Sequence, residues 1–88
     1  MIEKEVKIIN NAGLHTRPAA TIVKLAAKYK SEFFIHKDEL NINGKSIIGV
    51  MTLAAEKGST LKLTFDGQDE EEAANEIVNY FERGFDEL

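Results

Sequence analysis

Residues 2–26 read IEKEVKIINNAGLHTRPAATIVKLA, and two periodicities meet inside them. Ile2, Val6 and Ile8 alternate with Glu3, Glu5 and Lys7, the period of a half-buried strand. Asn10, Asn11 and Gly13 mark a loop. After His15 the spacing changes to that of a helix: Pro18, Ala19, Ile22, Val23, Leu25, Ala26 and Tyr29 share one apolar arc at about 100° per residue. Pro18 is tolerated there because a first-turn residue has no helical use for its N–H. Arg17, Lys24 and Lys28 fall on the other side as a basic stripe.

The rest of the chain extends this strand-then-helix grammar. EFFIHK (32–37) is rich in aromatic and β-branched residues and reads as a strand. Asp38 and Glu39 turn it into a short return strand carrying Leu40 and Ile42, and Asn43-Gly44 ends that strand. Ser46 is a preferred N-cap, which predicts a short helix over residues 47–53, weakened by Gly49. Leu61, Leu63 and Phe65 alternate with Thr60, Lys62 and Thr64 as a further strand. In DEEEAANEIVNYFERGF, Asp69 with Glu72 has capping-box spacing. Glu70 to Glu72 sit where a helix dipole favours negative charge, and Ala74, Ile77, Val78, Phe81 and Phe85 form the buried stripe. The expected order is β-α-β-β-α-β-α, with residues 1–88 as one domain. The economical arrangement is an α+β two-layer sandwich, an antiparallel sheet with helices on one face and water on the other.

Composition narrows the function. The chain has 88 residues and no cysteine, which excludes disulfides, thiolate metal sites and cysteine nucleophiles and is compatible with a reducing cytoplasm. No apolar run approaches a membrane span, and MIEKEVKI is unlike a signal peptide. Residues 1–50 hold 8 Lys/Arg against 5 Asp/Glu, and residues 51–88 hold 3 against 10. The net charge of −4 argues against generic nucleic-acid binding. The basic half, which contains AGLHTRPAA (12–20), suits an anionic group or an acidic partner. Only His36 could join His15 in supplying imidazole, so no metal is expected, and no motif calls for a cofactor. NGKS (43–46) is no phosphate-binding loop, because Glu39 stands where a glycine is needed and no parallel βαβ unit surrounds it.

His15 at the N-cap of the first helix would leave the next N–H groups without helical partners. Those of Thr16 and Arg17, with the helix dipole, make an anion site. The same field favours an uncharged imidazole, which is a usable nucleophile. A phosphoryl group on it would lie over free amides, with the Arg17 guanidinium in reach. A bland reading stands beside this one, in which His15 only caps a helix and Arg17 is a solvated charge. Ile47, Ile48 and Met51 suit either core burial or an exposed docking patch.

GLHTRPAA (13–20) and KSIIGVMTLAAEKGS (45–59) resemble HPr, the histidine-containing phosphocarrier family of the bacterial phosphoenolpyruvate-dependent phosphotransferase system. The resemblance spans essentially the whole chain. It implies an open-faced β-sandwich, a four-stranded antiparallel sheet with three helices on one face. It also implies phosphorylation of His15 on Nδ1 by enzyme I, assisted by Arg17, and transfer to an enzyme IIA domain. Ser46 matches a serine phosphorylated in some lineages by HPr kinase/phosphorylase. Ile47, Ile48 and Met51 match the docking patch, with Ala20, Lys24 and Lys28 at its border. The implied protein is a carrier rather than an enzyme, a monomer that forms transient complexes. DEEEA and GFDE look more like the nitrogen-related branch, whereas KSIIGVM looks like kinase targets, so sugar and nitrogen branches both stay open. Crh-like relatives, regulators without the active histidine, are disfavoured by His15. A regulatory module acting through Ser46 and the apolar patch is the alternative, and a ferredoxin-like small-ligand sensor would fit the element order alone.

Overall fold

The computed structural model describes residues 1–88. It contains β1 (Ile2–Lys7), α1 (Thr16–Ala26), β2 (Glu32–Lys37), β3 (Leu40–Asn43), α2 (Ile47–Thr52), β4 (Thr60–Asp66), α3 (Glu70–Glu82) and a terminal 3-10 turn (Gly84–Asp86). The four strands form one antiparallel sheet in the order β1-β4-β2-β3. β1 and β2 both pair antiparallel with β4, so they run parallel to each other on either side of it. Chain segments that step over a neighbouring strand must cross a face of the sheet, and α1 and α2 make those crossings.

The alternation read in the sequence decides which face is covered. Val6, Phe33, Ile35, Leu61, Leu63 and Phe65 are buried under the helices, while Glu3, Glu5 and Lys62 are exposed. Phe33 and Phe65 are cross-strand partners whose rings stack at 4.8 Å, a contact worth about 0.5–1.5 kcal/mol beyond burial. From α1 the core receives Pro18, Ala19, Ile22 and Ala26; Val23, Leu25 and Tyr29 are only half-buried. Ala73, Ala74, Ile77, Tyr80 and Phe81 close it from α3.

Three expectations change in detail. Asp69 begins α3 without capping it. Its carboxylate instead accepts the N–H groups of Lys30 and Ser31, both at 2.9 Å, and the Ser31 hydroxyl. Glu70, not Glu72, reaches back, accepting the Gly67 N–H at 3.0 Å. Gly49 is a packing requirement rather than a weakness, because a Cβ there would lie 2.5 Å from Ile42 Cγ2. Phe85 lies beyond α3, in a turn where it and Asp86 have φ near +60°. Its ring is held at 5.2 Å from Tyr80 and 5.1 Å from Phe81.

Candidate functional site

The loop between β1 and α1 is built on Gly13. Its φ is +71°, and a Cβ would come within 2.7 Å of the Ala55 carbonyl. Both facts demand glycine. The next N–H, from Leu14, donates to that carbonyl at 2.8 Å, and the Leu14 side chain is buried. The loop is thus bound to the segment that follows α2, and His15 emerges from it in a fixed place.

His15 is the N-cap of α1 with extended backbone, and its side chain makes no capping bond. Its carbonyl accepts the first helical bond, from Ala19 N–H at 3.0 Å. Pro18 has no N–H to offer, so Thr16 and Arg17 hold the free donors at this helix end. The His15 side chain is 39% exposed, neither sealed in the core nor fully solvated. Arg17 is exposed and makes no ion pair. Its guanidinium therefore has no ion-pair partner, although its charge acts on Glu87.

The sequence reading missed one member of this site. Glu87 Oε2 lies 2.8 Å from His15 Nε2, and its other oxygen accepts from Asn10 Nδ2 at 2.8 Å. A carboxylate only accepts, so Nε2 carries a hydrogen and Nδ1 is left with the lone pair in the neutral ring. Burial alone would raise the Glu87 carboxyl, but the hydrogen bonds from His15 and Asn10, with the nearby Arg17 charge, hold it below its ordinary range. The imidazole therefore sits between two fields rather than under the helix dipole alone. No periodicity or motif in the acidic tail singles out Glu87; the contact spans 72 residues.

Ser46 caps α2 as expected, its Oγ accepting Gly49 N–H at 3.1 Å. Val50 and Leu53 are the side chains this segment sends into the core. Ile47, Ile48 and Met51 are 39%, 77% and 40% exposed, which decides for a surface patch over core burial. Ala20 and Lys24 are also exposed. Lys28 is bound differently from a free basic rim: Glu76 of α3 holds it at 2.7 Å, in a groove also lined by Tyr29, Glu72 and Arg83. Tyr29 donates its hydroxyl to the same Glu76, which, with some burial, pushes the phenol up to about 12. That groove does not include His15. His36 stays on the uncovered sheet face, near Thr64 Oγ1.

Residues 2–83 match the family model described as the PTS HPr component phosphorylation site. The chain is 42% identical over 87 residues to the phosphocarrier protein HPr of Treponema pallidum, covering 99% of each. It is 43% identical over 83 residues to the HPr-like protein Crh of Halalkalibacterium halodurans, covering 94% of this chain and 99% of that protein. The crystal structure of HPr-C-His from Thermoanaerobacter tengcongensis superposes with a TM-score of 0.95 at 42% identity, covering 100% of this chain and 99% of that one. A half-exposed histidine at a helix start, an apolar patch on the next helix and an open-faced antiparallel sheet thus occur in a chain of the HPr family, the phosphocarriers of the phosphotransferase system.

Proposed function

We propose that His15 Nδ1 accepts a phosphoryl group from phospho-enzyme I and passes it to enzyme IIA domains. The observation that carries this reading is the state of the imidazole. Nε2 is engaged by Glu87, and Nδ1 is unpartnered at a helix end with free N–H groups and an Arg17 that has no ion-pair partner. In the accepting step the Nδ1 lone pair forms the P–N bond as the donor's bond to phosphorus breaks, and that electron pair stays with the donor. The ring becomes cationic while its proton remains on Nε2, and Glu87 balances the charge. In the donating step the same protonated ring is the leaving group. Partner enzymes supply the rest of the phosphoryl-transfer chemistry, so this chain presents a nucleophile and is not a catalyst by itself.

The Ile47, Ile48 and Met51 patch, bordered by Ala20 and Lys24, serves as the docking face for both partners. Complexes on so small an apolar surface are transient, which suits a cytoplasmic monomer that must let go quickly. Incubation with phosphoenolpyruvate and enzyme I should give an acid-labile, base-stable adduct. Its persistence in His15→Ala would overturn the assignment. Arg17→Ala should slow transfer while leaving the fold intact, since Arg17 is exposed and unpaired.

A second reading, regulation through Ser46, draws on the likeness to Crh and on the exposed position of this N-cap. Phosphate at a helix start is tolerated by the dipole yet places negative charge beside the docking patch, against an acidic partner. Labelling by ATP with HPr kinase/phosphorylase in the parent protein, and its loss in Ser46→Ala, would support that reading; no labelling of the parent would remove it.

A further inference from the structure

We infer that Asn10 is a positioning residue for this histidine: acting through Glu87, it holds the imidazole in the single tautomer that leaves Nδ1 free. The inference rests on the carrier role proposed above.

Asn10 is completely buried, and its amide orientation is fixed. Nδ2 donates to two acceptors, the Gly13 carbonyl at 2.9 Å and Glu87 Oε1 at 2.8 Å. Flipping the amide would set its oxygen against both. Stapling the 10–13 loop needs only the first of these bonds, and the Gly13 N–H already returns to the Asn10 carbonyl at 3.2 Å. The second bond reaches 77 residues along the chain to a carboxylate whose other oxygen holds His15 Nε2. Meanwhile Asn10 Oδ1 is buried with no hydrogen-bond partner. An unsatisfied buried acceptor is a standing cost that an apolar side chain would avoid. The donor end of this amide is what justifies keeping it. The arrangement, amide to carboxylate to imidazole, is the logic by which a buried acid orients a catalytic histidine, with one more member that stops the carboxylate from turning away.

Glu87 is the middle member of this arrangement. It follows a turn whose residues Gly84, Phe85 and Asp86 all have positive φ, and its N–H donates to the Gly84 carbonyl at 3.0 Å. That backbone bond places the residue but leaves its side-chain torsions open, and the Asn10 amide, by holding Oε1, turns Oε2 toward His15.

The test uses the full chain with Asn10→Ala, Glu87→Ala and the double variant. Nitrogen NMR of the neutral His15 ring reports the tautomer, and the initial rate of phosphoryl acceptance from phosphoenolpyruvate with enzyme I reports function. The parent should show one tautomer, protonated on Nε2. Each single variant should show a mixture and accept phosphate several-fold more slowly, and the double variant should be no slower than the worse single one. Glu87→Gln provides a second probe that leaves the Asn10–Gly13 contact in place. With Asn10 donating to its carbonyl, the new amide must turn its NH2 toward Nε2, so the ring should shift to the Nδ1-protonated tautomer. An unchanged tautomer in Asn10→Ala and Glu87→Gln, an unchanged rate, or fully multiplicative effects in the double variant would overturn the inference. Absence of any adduct on the parent would instead remove the carrier role, while the tautomer measurement would still report on Asn10.

Discussion

Ile48→Ala separates folding from docking more sharply than any other substitution. Ile48 is 77% exposed, so less than a quarter of its surface is covered. Full burial of an isoleucine is worth about 1.5–3 kcal/mol. The covered part therefore supports well under about 1 kcal/mol, and alanine returns a few tenths through its helix propensity. The unfolding free energy should stay within about 0.5 kcal/mol of the parent. Docking should respond differently. Truncating an apolar side chain at the centre of an interface removes about 1–2 kcal/mol, a factor of about 5–30. Two measurements decide the matter: urea denaturation, and the KM of enzyme I for this protein as the varied substrate. The expected pair is an unchanged midpoint with a several-fold higher KM. An unchanged KM in a folded variant would refute the docking face. Ile22→Ala is the control in the opposite sense, since Ile22 is fully buried and should lose about 2–5 kcal/mol of stability.

Ser46→Ala removes the acceptor of Gly49 N–H and should cost about 1 kcal/mol in urea denaturation. Ser46→Asp keeps an acceptor there and should hold its stability while raising the KM for enzyme I. Gly49→Ala gains about 1 kcal/mol of helix propensity but drives a Cβ to 2.5 Å from Ile42 Cγ2. Overpacking of that kind costs about 1–3 kcal/mol, so the net effect should be destabilising, and Ile42→Ala in the same chain should relieve it. Asp69 is held at about 2, down from 3.8, chiefly by the Ser31 hydroxyl and the Lys30 N–H. A carboxyl depressed on folding stabilises above its unfolded value and loses that contribution as pH falls. Thermal midpoints of the parent and Asp69→Asn should therefore differ at neutral pH and converge between pH 3.8 and about 2; a gap that persisted at the acid end would refute the assignment.

What the sequence disclosed depended on how local the cause was. The strands and helices were legible because Ile2 to Ile8 and Thr60 to Phe65 alternate cleanly while residues 16–26 change period. The N-cap role of Ser46 was legible for the same reason, since donor and acceptor lie three residues apart. Asp69 looked equally local, yet Lys30 and Ser31, nearly 40 residues away, offer it better donors. Phe85 could not be placed by propensity, because positive φ is unfavourable for an aromatic residue and only its packing on Tyr80 and Phe81 explains it. Periodicity could not decide whether Ile47, Ile48 and Met51 face in or out. Val50 and Leu53 already fill the space beneath the short helix, and that is a fact of three-dimensional packing. Asn10 read as a loop marker and Glu87 only as the end of GFDE (84–87), because their contacts are with each other and with His15.

The placement of the histidine on an open surface suits a phosphocarrier. An enzyme that completes its own reaction gains from excluding water and surrounding the reacting atoms. A carrier must offer one atom to two different active sites in turn, so the walls have to belong to the partners. Here the His15 side chain is 39% exposed, and the groove between α3 and the segment following α1 lies elsewhere. What the chain can contribute is precision on the buried side of the ring, and there it supplies a carboxylate and a fixed amide rather than solvent. The Leu14 N–H bond to Ala55 ties the histidine loop to the segment following α2. On the proposed docking face, a partner seated on Ile48 would meet Nδ1 at a position set by that bond. If the apolar patch and the nucleophile form one recognition unit, as proposed, a charge placed at Ser46 would act at the edge of a surface that donor and acceptor share.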